Sequence, residues 1–466
     1  MRKVHLIGIA GVGMSTTAVL LKEGGWQVTG SDAECYGPPC EILERSGISF
    51  SLGYDPKNIP VGVDCFVIGR NAKLVPEENA EVRAALSTGK PIHSFPEMLG
   101  ELTKGRENLV VAGSYGKSTV VSLVAHILRH AGIATGYFIG AKPVETPWLA
   151  TSATQGNAAP FILEGDEYPS SHADARAKFM HLHPHEVLLT SVVHDHVNVY
   201  PTFPAYQKPF RELLALVPQD GFIVVSADEP GALALAQESG KSYVTYGVRS
   251  ETAAYRATHI RYGARTRFTL LAKGAPLGEI ETSLLGAHNV ENVVGAAAWV
   301  LERHLASFDA IRAAIADFKG VRRRLDNCAP AARIPVFEGF GSSYEKARAA
   351  IEAMRLHFPE KSLVIIFEPH TFGWRNRANL SWYDKVFAEA SSVFIASPAL
   401  QGAATHDQLS HEEILARIGN TAQPYTGPEA VLKSLSGNEV VLILTSGDLG
   451  HTLGALIEAI TAQYPL

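Results

Sequence analysis

Basic charge is scarce in this 466-residue sequence: 41 lysines and arginines stand against 47 acidic residues, a net charge of −6. Without a cationic excess the chain lacks the electrostatic footprint of nucleic-acid binding, so nucleic acid is not expected as a partner. Cysteine is scarcer still, with four residues, Cys35, Cys40, Cys65 and Cys328. So few make no disulfide framework in so long a chain, and Cys35 and Cys40 have no second close pair to complete a zinc site. All four read as buried or idle thiols. No uninterrupted apolar run approaches the roughly 18 residues of a membrane span. The apolar stretch at residues 4–9 is shorter than a signal-peptide core and runs into glycines, not a cleavage site. Internal repeats and low-complexity tracts are missing too. The expectation is a cytoplasmic protein with no membrane partner, working as a monomer or homodimer.

What the chain does have is 46% apolar and 19% charged residues, enough for sizeable cores. Its length suggests about two to four domains at roughly 100–200 residues each. Short apolar strands alternate with longer helical runs, which points to α/β units with parallel sheets. The pattern starts three times: at residues 4–9, at 108–112 after the polar stretch 103–106, and near 334–337 after the cationic and polar stretch 322–327. Boundaries are therefore expected near residues 105 and 327.

The first start reads Gly8-Ile9-Ala10-Gly11-Val12-Gly13-Met14-Ser15, between a strand and a helical run. Glycines let the backbone approach a diphosphate, and the helix N-terminus offers free N–H groups. Asp32 ends the next strand about twenty residues on, where a ribose-contacting acid is expected. The spacing departs from the full dinucleotide fingerprint. On these residues alone a nicotinamide cofactor, another nucleotide and a structural turn all stay open.

The second start carries a stronger constellation. The strand at 108–112 leads into Gly113-Ser114-Tyr115-Gly116-Lys117-Ser118-Thr119, and a helical run follows. The loop N–H groups would surround phosphate oxygens, Lys117 would neutralise β/γ-phosphate charge, and the Ser118 hydroxyl would ligate Mg²⁺. Val111 stands where the usual distant first glycine would be, so the loop is a shortened one.

Downstream, an apolar strand ends in the carboxylates of Glu164, Asp166 and Glu167. Hard Mg²⁺ takes oxygen ligands, so this strand end is a natural ligand source beside a phosphate loop. His181, His183, His185, His194 and His196 look zinc-like. Alternate positions of an extended segment splay to two faces, however, and no local cysteine helps. A single histidine at a metal–phosphate site is the preferred reading.

Taken in order, these motifs resemble those of the Mur ligases. Gly286-Ala287-His288-Asn289-Val290-Glu291-Asn292 and Gly320-Val321-Arg322-Arg323-Arg324-Leu325 extend the likeness over essentially the whole chain. Ser31-Asp32-Ala33-Glu34-Cys35-Tyr36-Gly37-Pro38-Pro39 and Glu167-Tyr168 lean toward the murein peptide ligases. The resemblance implies a Rossmann-like UDP-substrate domain at 1–105, a central P-loop ATPase-like domain at 106–326 and a Rossmann-like amine-substrate domain at 327–466. It implies ATP-dependent amide ligation of UDP-N-acetylmuramate with an amino acid or murein peptide, through an acyl phosphate. A carboxylate is a poor acyl donor until phosphate becomes its leaving group. By position, Lys117, Glu164 and His196 would be catalytic, and Ser118, Glu164 and His196 would hold Mg²⁺. ATP would meet residues 113–119, Asn292 at the adenine, Arg324 at the phosphates and Glu338. Gly11, Gly13, Met14, Ser15, Asp32 and Asn71 would serve the UDP substrate. Arg375 and Arg377 would grip a carboxylated acceptor by bidentate contacts.

The sequence also departs from the family pattern. Ser114, Tyr115 and Ser118 replace two threonines and a histidine of the usual loop. Val193 stands where a glutamate is usual, and valine neither ligates metal nor accepts a proton. In the third domain Gly339 replaces an aspartate, and Ser342 and Ser343 replace two histidines.

Overall fold

The computed structural model describes residues 1–35, 37–144, 160–196, 199–398 and 407–466; Tyr36 of the motif quoted above lies outside them. Strands form where the apolar runs predict, and they assemble into three sheets. The first holds β1 (Lys3–Ile7), β2 (Gln27–Asp32), β3 (Ser49–Leu52), β4 (Cys65–Ile68) and β5 (Ile92–His93), all parallel, in the order β3-β2-β1-β4-β5. His5 is wholly buried in β1 and survives there by pairing. Its Nε2 lies 2.7 Å from Glu81 Oε1, and Glu81 also accepts from the Ser31 hydroxyl at 2.7 Å and the Asp55 amide at 2.8 Å. Burial pushes the Glu81 carboxyl up, but these hydrogen bonds outweigh it and hold the pKa below the ordinary value.

The second sheet has nine strands: β6 (Asn108–Ala112), β7 (Gly136–Phe138), β8 (Phe161–Glu164), β9 (Pro184–Leu189), β10 (Ile223–Ser226), β11 (Tyr243–Gly247), β12 (Tyr255–Arg261), β13 (Thr266–Ala272) and β14 (Ala275–Thr282). Their order is β14-β13-β12-β11-β10-β9-β6-β8-β7. β6 is buried along its whole length between β9 and β8. A strand covered on both faces reads as a continuous apolar run, which is why Leu109, Val110, Val111 and Ala112 adjoin without polar alternation.

The third sheet runs β15 (Arg324–Asn327), β16 (Val336–Gly339), β20 (Glu439–Leu444), β17 (Ser362–Phe367), β18 (Ser392–Ile395) and β19 (Ala422–Pro424). Here one expectation is corrected. The cationic stretch before residue 327, read as a connection, contains an antiparallel edge strand paired to β16. Leu325 is buried, and the Asp326 carboxylate ties the segment together by accepting from Arg322 at 3.1 Å and the Arg323 amide at 2.6 Å. Charge density hid a strand because its acid and bases pair locally.

By compactness the chain divides into two units: Met1–His259 with Phe268–Ile280 and Glu291–Phe318, and Ile260–Arg267 with Glu281–Val290 and Lys319–Leu466. A second correction concerns cysteine. Cys35 and Cys40 form a disulfide across a turn whose ends lie 5.7 Å apart at Cα, a proximity five residues of separation did not reveal. Cys65 and Cys328 are free; burial pushes the Cys65 thiol up to about 11.

Candidate functional site

The glycine-rich start closes β1 and opens the helix Val12–Glu23, with Gly11 extended at its N-cap. Gly11 is exposed, whereas Met14 packs in the core and the buried Ser15 donates its hydroxyl to Val12 O at 3.1 Å. The backbone of this turn, more than the side chains of Met14 and Ser15, is therefore what faces outward. Asp32 Oδ2 accepts from the Ala10 amide at 2.8 Å, and Oδ1 from the Ala33 amide and the Tyr54 hydroxyl at 2.8 and 3.0 Å. Asp32 thus ties the glycine turn to the end of β2 through its bond from the Ala10 amide. Asn71 Oδ1 accepts from the Lys73 amide at 3.1 Å, and its carbonyl accepts from His172 Nε2 at 2.8 Å.

The phosphate loop leaves β6 and enters the helix Lys117–His130. Gly113 has φ +139°, and a Cβ there would meet Thr190 Oγ1 at 2.1 Å. Gly116 has φ +84°, and a Cβ would lie 2.4 Å from Asn292 Oδ1. Glycine is thus required twice, for backbone handedness and for close approach. The second clash also places Asn292, on the helix Ala287–Glu302, directly against the loop. Ser114 is wired into the chain after β9: its hydroxyl donates to Val193 O at 2.8 Å, accepts from the Val193 amide at 2.9 Å, and meets the Tyr206 hydroxyl at 2.8 Å. The Tyr115 amide donates to Ser191 Oγ at 3.1 Å. Val193 therefore takes part through its backbone, holding the loop that it has no side chain to serve.

The three carboxylates at the end of β8 go three ways. Glu164 Oε1 accepts from the Ser118 hydroxyl at 2.8 Å, and Oε2 from the Gly140 amide at 2.7 Å. Asp166 Oδ2 holds Lys178 Nζ at 2.5 Å. Glu167, fully buried, takes Lys117 Nζ at 3.0 Å on Oε2 and His196 Nε2 at 3.0 Å on Oε1, with the Tyr206 hydroxyl donating at 3.3 Å. Burial pushes the Lys117 ammonium pKa down, but Glu167, Asp166 and Glu164 more than offset it and leave the value raised. Burial pushes Glu167 up in turn, yet Lys117 and His196 hold it down at about 2. Both groups are accordingly charged near neutral pH.

His196 does not join the other two residues expected to hold metal. Ser118 and Glu164 meet, but the His196 ring turns to Glu167 and stands on Tyr168 with centroids 4.3 Å apart. Its φ of +56° is uncommon for a non-glycine residue and marks backbone strain of the kind found at functional sites. The other histidines disperse: His181 Nε2 lies 3.1 Å from Asp174, and His194 Nε2 donates to Tyr200 O at 2.8 Å.

A cavity of about 250 Å³ runs from the glycine-rich start to the end of β8. Val12 and Gly13 line one side and Gly140, Glu164, Asp166 and Lys178 the other, with Phe95 and Phe138 between. Glu164, the partner of the Ser118 hydroxyl, brings one carboxylate of the site to its wall.

Residues 3–107 match the model of the Mur ligase family catalytic domain, and residues 111–300 that of the Mur ligase middle domain. The UDP-N-acetylmuramate–L-alanine ligase of Roseiflexus sp. (strain RS-1) is 32% identical over 97% of this chain and 98% of its own. That of Aquifex aeolicus (strain VF5) is 31% identical over 80% of this chain and 78% of its own. The chain belongs to the Mur ligase family. Solved members share its fold. A UDP-N-acetylmuramate–alanine ligase from Thermotoga maritima overlays 99% of this chain and 100% of its own with a TM-score of 0.78 at 22% identity. A UDP-N-acetylmuramate:L-alanyl-gamma-D-glutamyl-meso-diaminopimelate ligase from Neisseria meningitides covers 69% of this chain and 100% of its own, with a TM-score of 0.62 at 30% identity. As a Mur ligase the protein is an ATP-dependent ligase of an enzyme family built for peptidoglycan chemistry. No helix among the described residues is long and apolar enough to cross a membrane.

In this Mur ligase the departures noted in the third sheet have local reasons. At Gly339 a Cβ would sit 3.0 Å from the Leu444 side chain and 3.4 Å from that of Leu325, so a larger residue at the buried end of β16 would have to displace them. Glu338 is buried beside it, with Oε1 2.9 Å from Arg323 Nε; desolvation raises its pKa against the pull of that cation. Ser343 caps the helix Tyr344–His357, and Ser342 Oγ receives Lys346 Nζ at 3.3 Å. The Arg324 guanidinium lies over the Phe340 ring at 5.1 Å. Arg375 is buried with its carbonyl accepting from Leu409 N at 2.9 Å. Arg377 gives its fork to Glu413 and its Nε to Asp407 at 2.6 Å, so the bidentate grip foreseen for an acceptor is made within the chain.

Two contributors escaped sequence reasoning. Glu167 was grouped with metal ligands, and only its distance to Lys117 reveals a lysine partner. Lys178 carries no motif. The signal for both was an acidic cluster followed by an isolated lysine, which becomes informative once the segment folds back.

Proposed function

We propose that this Mur ligase joins UDP-N-acetylmuramate to an amino acid or murein peptide in peptidoglycan recycling, in the cytoplasm, as a monomer or homodimer. One observation carries the reading: Lys117 and Ser118 of a single phosphate loop meet Glu167 and Glu164 of a single strand end, and Glu164 lines a cavity that begins at Val12 and Gly13. In this reading a muramate carboxylate oxygen bonds to the γ-phosphorus of ATP as the bond to ADP breaks. The peptide amine then bonds to the acyl carbon, phosphate leaves, and the amine proton passes to solvent. Lys117 stabilises negative charge in the first step. Gly113, Gly116 and their neighbours would cradle the phosphates, and Asn292, which lies against Gly116, would contact the nucleotide.

The residues present suit Mg²⁺. Ser118 Oγ and Glu164 Oε1, both hard oxygens, lie 2.8 Å apart and would hold it side by side. Once bound it would neutralise phosphate charge as a Lewis acid. His196 would act through Glu167, fixing the carboxylate that positions Lys117. Functionally the chain is divided at 1–105, 106–326 and 327–466, for UDP substrate, ATP and amine.

Phosphate release with UDP-N-acetylmuramate, ATP, Mg²⁺ and a panel of amines including L-alanine and the tripeptide tests this. Release with a muramyl acid and one such amine is expected. ATP binding without release for any amine would overturn the reading. Lys117→Ala should reduce turnover about a thousandfold while UDP-substrate binding persists. A second reading, a different carboxylate and amine pair, draws support from Gly339, Ser342 and Ser343, whose sites are packed or already hydrogen-bonded. Release only with a non-muramyl acid would establish it.

A further inference from the structure

We infer a divalent transition-metal site where the C-terminal end of the phosphate-loop helix meets the end of the helix Phe308–Asp317. His126 and His130 stand four residues apart on the helix Lys117–His130, one above the other on one face. Asp317 closes the neighbouring helix. One ligand atom from each of the three lies within 4.8 Å of the others.

A bound cation would give this cluster the partner that one of its groups lacks. His126 Nε2 is 3.6 Å from Asp317 Oδ2, beyond hydrogen-bond range, and is buried with no hydrogen-bond partner. The His126 ring thus presents an unsatisfied nitrogen toward a carboxylate, and a bound metal ion would give both a partner. Phe318 packs on the His126 ring at 5.3 Å and limits its rotation. His130, with its ring 6.4 Å from that of His126, and Asp317 are exposed, so both can adjust to a bound ion.

Two imidazoles and one carboxylate favour Zn²⁺, Co²⁺ or Ni²⁺ over the Mg²⁺ that suits Ser118 and Glu164. Three protein donors leave a coordination position for water. The ion would staple the far end of the phosphate-loop helix to the helix that packs on it. A second cluster, Glu97, Asp174 and His181, is a weaker candidate. Glu97 is engaged in a capping box with Ser94, and Asp174 accepts from Arg176 at 2.8 Å.

Co²⁺ titration of the chelator-treated full chain, followed by visible absorption, provides the test. One equivalent should bind, Zn²⁺ should displace it, and Zn²⁺ should raise the unfolding midpoint. His130→Ala and Asp317→Asn should each weaken Co²⁺ binding about tenfold or more, whereas His181→Ala should not. Circular dichroism checks that the variants fold, and turnover with Mg²⁺ should stay unchanged in His130→Ala. Equal Co²⁺ affinity in the His130→Ala/Asp317→Asn double variant, no saturable binding, or loss on His181→Ala alone would each overturn the inference.

Discussion

At the scale of single residues the site is organised by charge partners. Lys117 and Glu167 are buried together, and removing one leaves the other without compensation. Glu167→Ala should therefore cost about 3 kcal/mol of stability, read by denaturant unfolding. Glu167→Gln, which keeps the shape, should fold well but lose turnover, because Lys117 and His196 lose their shared anchor. The pH dependence has a definite sign. A carboxyl held at about 2 in the fold stabilises it above the ordinary carboxylate range and loses that contribution as pH falls from about 4.3 toward 2. Lys178 gives a different expectation. Its ammonium reaches the cavity from Asp166 and lies near the rings of Phe95 and Tyr168, at 5.4 and 5.8 Å. Lys178→Met should raise KM for the UDP-linked acid about tenfold, with KM for ATP little changed, and Lys178→Arg should restore part of it. An equal rise in both values would assign Lys178 to general structure. The meeting of Ser118 with Glu164 was legible in the sequence because loop spacing and an acidic strand end place both locally. The partnership of Glu167 was not, since it depends on a fold that brings together residues fifty positions apart.

At the scale of elements, legibility followed burial. β6 and β20 are continuous apolar runs because both faces are covered, and such runs announce themselves. β15 is an edge strand with local ion pairs, and its composition imitates a linker. The Cys35–Cys40 turn was equally silent, since spacing alone does not specify geometry. The phosphate-loop turn offers a sharp test. Gly116→Ala forces a side chain into a left-handed backbone and onto Asn292. It should destabilise the protein by about 1–2 kcal/mol and abolish ATP binding, read by calorimetry. In the second unit, the buried His357 accepts from the Gly286 amide on Nε2 at 3.0 Å and donates Nδ1–H to Gly263 O. It is thus bound as the neutral tautomer, and burial, slightly opposed by the Gly263 contact, lowers its pKa. A histidine depressed in the fold stabilises it above about 6.5 and loses that effect as pH falls. The unfolding midpoint should drop between pH 7.5 and 5.5, and His357→Gln should flatten the slope.

At the scale of the whole molecule, two compact units carry separate cores. Ligands of the first unit should report on that unit. A non-hydrolysable ATP analogue at a hundred times its Kd should add about 2.7 kcal/mol to its stability, and none in Gly116→Ala. The α/β class and its three sheets were legible because strand and helix periodicities restart at each sheet. The division into units was not, because Ile260–Arg267 and Glu281–Val290 group with distant sequence. No local pattern encodes such an assignment.

The embrace of Lys117 by Glu167 and by the Gly113 carbonyl has a consequence for discrimination. The lysine does not wait as a bare cation that any passing anion neutralises. Under the proposed function, an incoming phosphate would have to outcompete a carboxylate already in place, which a nucleotide that also engages the loop amides would do more readily than a small anion.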